Sequence, residues 1–223
     1  MEYEILYRPS YSLLKMKLAK GEAVVAEAGA MVSMSSTVGI QTEMKGGLFG
    51  ALKRSVLGGE SFFMNTFTAS DAGEITFAPP LPGDVAGIEL KNQTVYVQSR
   101  AYLASTPNIQ VDTKWGGAKT FFSKEGLFLL KVSGTGHVFI ASYGALHEII
   151  LPAGQKYIVD TGHMVEFAEG VNYAVKQVGG LKSTILSGEG LVCELTGPGS
   201  IMLQSRSEDA FLSWLVPHLP KQH

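Results

Sequence analysis

Apolar and polar residues alternate over short runs along most of this chain, and turns carrying glycine, proline or small polar residues interrupt the runs. Period-two alternation bounded by such turns marks half-buried strands, so the pattern predicts an all-β protein. The pattern also repeats. Glu60 opens Glu-Ser-Phe-Phe-Met, Glu125 opens Glu-Gly-Leu-Phe-Leu, and Glu189 opens Glu-Gly-Leu-Val-Cys, at intervals of 65 and 64 residues. Each leads into a strand-like run, a small-residue turn and a second strand. The turns end on Gly73, Gly136 and Gly199, spaced 63 and 63. A final glycine supplies the positive φ of a tight turn, so three matching hairpins are predicted. Paired glycines at Gly46-Gly47, Gly116-Gly117 and Gly179-Gly180 repeat more loosely upstream.

The repeat divides the chain into β units at 1–80, 81–150 and 151–206, with joins at Ala78-Pro79-Pro80-Leu81-Pro82-Gly83 and Leu151-Pro152-Ala153-Gly154. Proline cannot continue a central strand, which is why it marks the joins. A unit of about 65 residues is too small for much of a core of its own. The expectation is three fused β-sandwich or double-stranded β-helix-like repeats about a pseudo-threefold axis, sharing one interior. Two segments depart from the β pattern. Residues 207–220 predict a C-terminal helix: Ser205-Arg206-Ser207-Glu208 fits a capping box, and Phe211, Leu212, Leu215 and Val216 form a helical stripe closed by Pro217. The stretch Lys45–Gly59, present only in the first unit, predicts a short amphipathic helical insertion. It combines Leu48, Phe49, Leu52, Val56 and Leu57 with Lys45, Lys53 and Arg54.

Composition narrows the function classes. Among 223 residues 45% are hydrophobic and only 17% charged, with a net charge of −2. That excludes a disordered tail, a coiled coil and a basic nucleic-acid arm. Acids outnumber bases and no basic pair recurs at the repeat, so no nucleic acid is expected as partner. The single cysteine, Cys193, permits no intramolecular disulfide and reads as a packed thiol. The acidic start Met1-Glu2-Tyr3-Glu4 is unlike a signal peptide. The longest uncharged stretch, Val132–His147, has 16 residues and three glycines. A spanning helix needs about 20 apolar residues, so a cytoplasmic location is expected.

The run from Gly46 through Leu48-Phe49-Gly50-Ala51-Leu52-Lys53-Arg54 to Phe63 resembles the altered-inheritance-of-mitochondria family, the mitochondrial biogenesis proteins and their prokaryotic relatives. So do Ala26–Met31, Phe77–Pro80, Glu125–Phe128, Tyr157–His163 and Gly188–Leu191, which together extend the likeness over nearly the whole chain. The resemblance implies a fold similar to the tryptophan RNA-binding attenuation protein, with three such units fused. It implies no enzymatic activity and assigns no catalytic or binding residue. The eukaryotic member of the family is associated with mitochondrial membrane organisation.

The chemistry-bearing residues point the same way. His137, His147, His163, His218 and His223 never form His-x-His, so no metal is expected, and no cofactor either. No Gly-x-Ser-x-Gly elbow and no Walker loop occurs, and no catalytic residue is expected. Glu60, Glu125 and Glu189 recur once per unit. They are candidates for a carboxylate ring binding a cation or a peptide amine, or for acceptors that fix a turn. Leu48, Phe49, Leu52, Lys53 and Arg54, with Phe211, Trp214 and Leu215, are candidates for a contact surface against the body, a second subunit or lipid. The expected function is a non-enzymatic, self-assembling scaffold or interaction module, a homo-oligomer with a protein or peripheral-membrane partner. The alternatives are a small-ligand binder or unrecognised enzyme with a pocket between repeats and, more weakly, nucleic-acid binding.

Overall fold

The computed structural model describes residues 1–41, 55–57, 60–62, 64–112, 128–177 and 191–220. The first third of the chain holds β1 (Glu2–Leu6), β2 (Leu13–Leu18), β3 (Ala23–Glu27), β4 (Met31–Met34), β5 (Val38–Gln41), β6 (Ser55–Leu57), β7 (Glu60–Phe62), β8 (Met64–Ala69) and β9 (Gly73–Phe77). The middle third holds β10 (Val85–Gln98), β11 (Tyr102–Ser105), β12 (Ile109–Asp112) and β13 (Leu129–Ala141). The last third holds β14 (Leu146–Leu151), β15 (Lys156–Asp160), β16 (Met164–Ala168), β17 (Asn172–Gln177), β18 (Leu191–Thr196) and β19 (Gly199–Gln204), and α1 (Glu208–Leu215) follows. The described residues are predominantly β, with α1 and a few short 3-10 turns besides.

The same antiparallel ladders recur in each third. In the first, β9 lies between β2 and β4 while β8 lies between β3 and β5. In the last, β19 lies between β14 and β16 while β18 lies between β15 and β17. In the middle third two long strands do the work of four: the C-terminal half of β13 pairs with the first half of β10 and with β11, and its N-terminal half with the second half of β10 and with β12. A register shift falls at one equivalent place in each third, between Met31 and Ser33, Tyr102 and Ala104, and Met164 and Glu166. One extra residue there bends the strand and aims a side chain away from its own layer.

The predicted hairpins are corners instead. β8 pairs with β3 and β5, β9 with β2 and β4, and β13 runs unbroken through Gly134 and Gly136. The turn carries the chain from one layer to the other, a bend of the kind that joins packed sheets. Gly134, Gly136 and Gly199 hold positive φ of 134°, 150° and 146°, a backbone that favours glycine, as expected at 136 and 199. Gly73 has no positive φ; a Cβ there would approach Thr37 Oγ1 to 2.5 Å, so its need is for space. The predicted helical insertion is corrected in part: Ser55–Leu57 is a strand paired with Glu60–Phe62, and the rest of 45–59 lies outside the described residues.

Two seams join the thirds. β11 pairs with β3, Ala104 opposite Ala26, and β16 pairs with β10, Glu166 opposite Val97. Among the described residues the buried side chains form three clusters, and each is completed by a neighbouring third. The first, around Leu14, Phe67 and Phe77, takes in Leu103 and Phe139 of the middle third. The second takes in Val165 of the last third, and the third takes in Leu129. Burying a residue such as Leu103 contributes about 1.5–3 kcal/mol, so the seams are part of what makes each small unit stable. The Pro-rich join is held at Gly83, whose carbonyl accepts from Ser12 N at 3.0 Å and which bridges to Gly144. A Cβ at Gly83 would collide with the Ser142 carbonyl oxygen. Gly83→Ala is therefore expected to lower stability by about 1–3 kcal/mol, read from the urea midpoint.

Candidate interaction surfaces

The C-terminal helix is docked by its start and left open along its length. Ser207 is the N-cap, its Oγ accepting from Ala210 N at 3.4 Å. The predicted cap, Ser205, spends its hydroxyl elsewhere, accepting from Ala145 N at 2.9 Å. Glu208 and Asp209 in the first turn complement the helix dipole, and Arg100 Nη1 donates to Glu208 Oε2 at 2.7 Å across the seam to the middle third. Phe211 meets Tyr143 edge-on at 6.0 Å, and Leu215 is half-buried. No residue of α1 is buried. Leu212, Val216 and Leu219 are exposed, and Trp214, at 62% exposure, stacks on Phe211 of the same helix and packs tilted against His218 of the 3-10 turn that follows. Of the predicted stripe, Phe211 and Leu215 are half-buried while Leu212 and Val216 are exposed, as is Trp214 beside them.

Further exposed apolar residues lie on two separate strand edges. Val32 and Met34 on β4 and Tyr157 and Ile158 on β15 are exposed. The polar depression beside α1 is different. Gln98, Arg100, Gly162, Gln204 and Ser207 are among the residues lining it. Gln204 accepts from Tyr143 N at 2.9 Å and donates to Gly162 O at 2.8 Å, and Arg100 is engaged by Glu208. These groups bind one another and fasten the seam.

The remaining titratable groups serve the body. Cys193 is buried in the third cluster, and desolvation pushes its thiol up to about 12, against a nucleophile's needs. His137 packs against Tyr3 and Phe139, and His163 Nδ1 lies 2.8 Å from Gln204 O. Asp160 Oδ1 accepts from Gly162 N at 2.9 Å, capping the turn before β16. Among the described residues no three His, Cys, Asp or Glu converge as metal ligands, and no helix is long and apolar enough to cross a membrane.

Of the candidate residues, Glu60 opens β7 opposite Leu57. Glu125, Glu189, Leu48, Phe49, Leu52, Lys53 and Arg54 lie outside the described residues. Two ionisable groups escaped sequence reasoning. Asp84 follows the Pro-rich join and is 4% exposed, and Glu166 is 4% exposed within Met164-Val165-Glu166-Phe167-Ala168. A lone acid inside an apolar run was the available signal for Glu166; Asp84 had none.

The profile of the family described as mitochondrial biogenesis AIM24 matches residues 3–206. The chain belongs to that family. It is 28% identical to an uncharacterized protein of Streptococcus pyogenes serotype M6, over 99% of this chain and 92% of that one. An X-ray crystal structure of a Streptococcus pyogenes protein is similar to it with a TM-score of 0.80 and 27% identity, covering 98% of this chain and 99% of that one. The resemblance read from the glycine-rich Lys-Arg run and its companions is thus the family itself.

Proposed function

We propose that this AIM24-family protein is a non-enzymatic scaffold that works by surface contact: copies self-associate, and α1 presents an apolar face to a protein or a membrane surface. The three like units, arranged about a pseudo-threefold axis, give the rigid body, and the cytoplasm is its place of action. The observation that carries this reading is the exposed apolar set on α1 and the turn after it, where Leu212 and Trp214, then Val216 and Leu219, are uncovered while a salt bridge anchors the helix start. An anchored helix with its apolar side outward invites a covering partner. The polar groups that could have lined a substrate site are instead satisfied by one another.

Sedimentation and light scattering of the full chain across concentrations, with a vesicle-flotation arm, test the proposal. The expected result is concentration-dependent self-association, with Trp214→Ala lowering partner or vesicle capture but not the unfolding midpoint. A strict monomer without vesicle affinity, whose midpoint rises with dose of a small metabolite, would support the ligand-binding alternative and overturn the scaffold reading.

A further inference from the structure

Both seams between thirds share one form. β11 lies on β3 with Ala104 opposite Ala26 and Ser105 opposite Val25; β16 lies on β10 with Glu166 opposite Val97 and Phe167 opposite Tyr96. The internal ladders place every third on a common register. Ser33 of β4 holds the place of Ala104 and Glu166, directly after the bulge. Val159 of β15 holds the place of Ala26 and Val97, opposite the equivalent residue of its inner partner. The series therefore has two unused ends. β4 ends the sheet β1-β2-β9-β4, β15 ends the sheet β15-β18-β17, and among the described residues neither is hydrogen-bonded on its outer edge.

Burial separates the used edges from the unused ones. The bulge residue of the middle third, Leu103, is 1% exposed in the core of the third before it, and Val165 of the last third is 0% exposed in the same relation. Their counterpart Val32 is 57% exposed. On the receiving side Val24 and Val95 are buried, whereas the counterpart Tyr157 is exposed and its neighbour Ile158 is 63% exposed. Free edges in natural sheets are usually guarded by charge, proline or extreme shortness. Met31-Val32-Ser33-Met34 carries no charge, and β15 is charged only at its two ends, where Lys156 pairs with Glu194 and Asp160 accepts from Gly162 N, leaving Tyr157-Ile158-Val159 between them uncharged.

We propose that β4 of one copy adds to β15 of a second copy, Ser33 opposite Val159 and Met34 opposite Ile158, with Val32 entering the core around Cys193 and Leu195. This rests on the self-assembly reading above and names the surface that performs it. Each new ladder bond satisfies main-chain groups that the lone edge leaves to water, and the apolar bulge residue gains the core its two counterparts already have. The joint is heterologous, so copies join head to tail and either close a ring or run on.

The test uses the full chain and two variants at exposed positions. Val32→Glu and Ile158→Glu, each confirmed folded by circular dichroism, are expected to weaken self-association at least about tenfold, a change that reads directly in the dissociation constant. Each retains one good edge, so mixing the two gives a 1:1 pair that grows no further. Ile150→Glu alters an exposed apolar residue on the unrelated edge strand β14 and leaves assembly unchanged. The double variant Met34→Cys with Ile158→Cys forms a cross-link between chains on mild oxidation. Assembly indifferent to both glutamates, or equally lost with Ile150→Glu, overturns this seam while leaving the scaffold reading standing. A cross-link at monomer mass overturns it by showing the edges meet within one chain. A wild-type chain that never associates overturns both.

Discussion

Asp84→Ala is expected to lower the unfolding free energy by about 3–4 kcal/mol, measured from the urea midpoint near neutral pH. The carboxylate sits at the first join with its side chain almost wholly enclosed. Its Oδ1 accepts from Arg8 Nε at 2.8 Å, Ser12 Oγ at 2.9 Å and Val85 N at 2.8 Å, while Oδ2 accepts from Arg8 Nη2 at 2.8 Å. Ser142 closes the same cluster through its hydroxyl and the Asp84 main chain. One residue thus ties the N-terminal segment to both ends of the middle third. Alanine would leave Val85 N and the Ser12 hydroxyl buried without that acceptor. Desolvation alone would raise the Asp84 pKa, but the bonds from Arg8, Ser12 and Val85 outweigh it and hold the carboxyl below its usual range. A depressed carboxyl contributes stability above its unfolded pKa and loses it as pH falls through the folded value. Asp84→Ala should accordingly flatten the acid limb of the stability profile as well as lower its plateau. Arg8→Ala should cost less, because the Ser12 and Val85 bonds remain.

Glu166→Gln should act in the opposite sense. Glu166 lies between Val97 and Met202 in the sheet, and Glu148 stands in the same row on the far side of Met202. Desolvation, with a smaller push from Glu148, raises its carboxyl to about 8. The folded chain therefore keeps this proton where the unfolded chain releases it. Stability from this group is fully present below the unfolded pKa and is lost as pH rises towards the folded one. Between about pH 5 and about pH 8 the wild type should lose about 3–4 kcal/mol from this group alone. Glutamine keeps the shape and cannot ionise, so the variant should lose that slope and exceed the wild type at the alkaline end. Parallel denaturation curves at the two pH values decide it. Equal slopes for the two proteins would mean that the carboxyl ionises in the folded state without penalty.

Much of the body was legible in the chain itself. Alternation marked strands such as Leu191–Thr196, and the spacing of Gly73, Gly136 and Gly199 marked equivalent positions that the ladders also treat as equivalent. Phe211 and Leu215 were visible as a helical stripe. The reading failed where a local cue has two structural meanings. A small-residue turn ending in glycine fits a hairpin and a corner equally, and only the layers across it choose. The Ser205 hydroxyl could cap a helix, yet Ala145, far away in sequence, claimed it.

The sequence by itself determined the strands and the spacing of the turn glycines between them, because period-two alternation and turn residues are properties of neighbouring residues. It could not separate Val32 from Leu103 and Val165, nor Ile158 from Tyr96, since each holds an equivalent place and each is apolar or aromatic. Tertiary structure alone decided which of them meets a following strand and which faces water. Burial is set by what lies beyond the edge, which no pattern of neighbouring residues records.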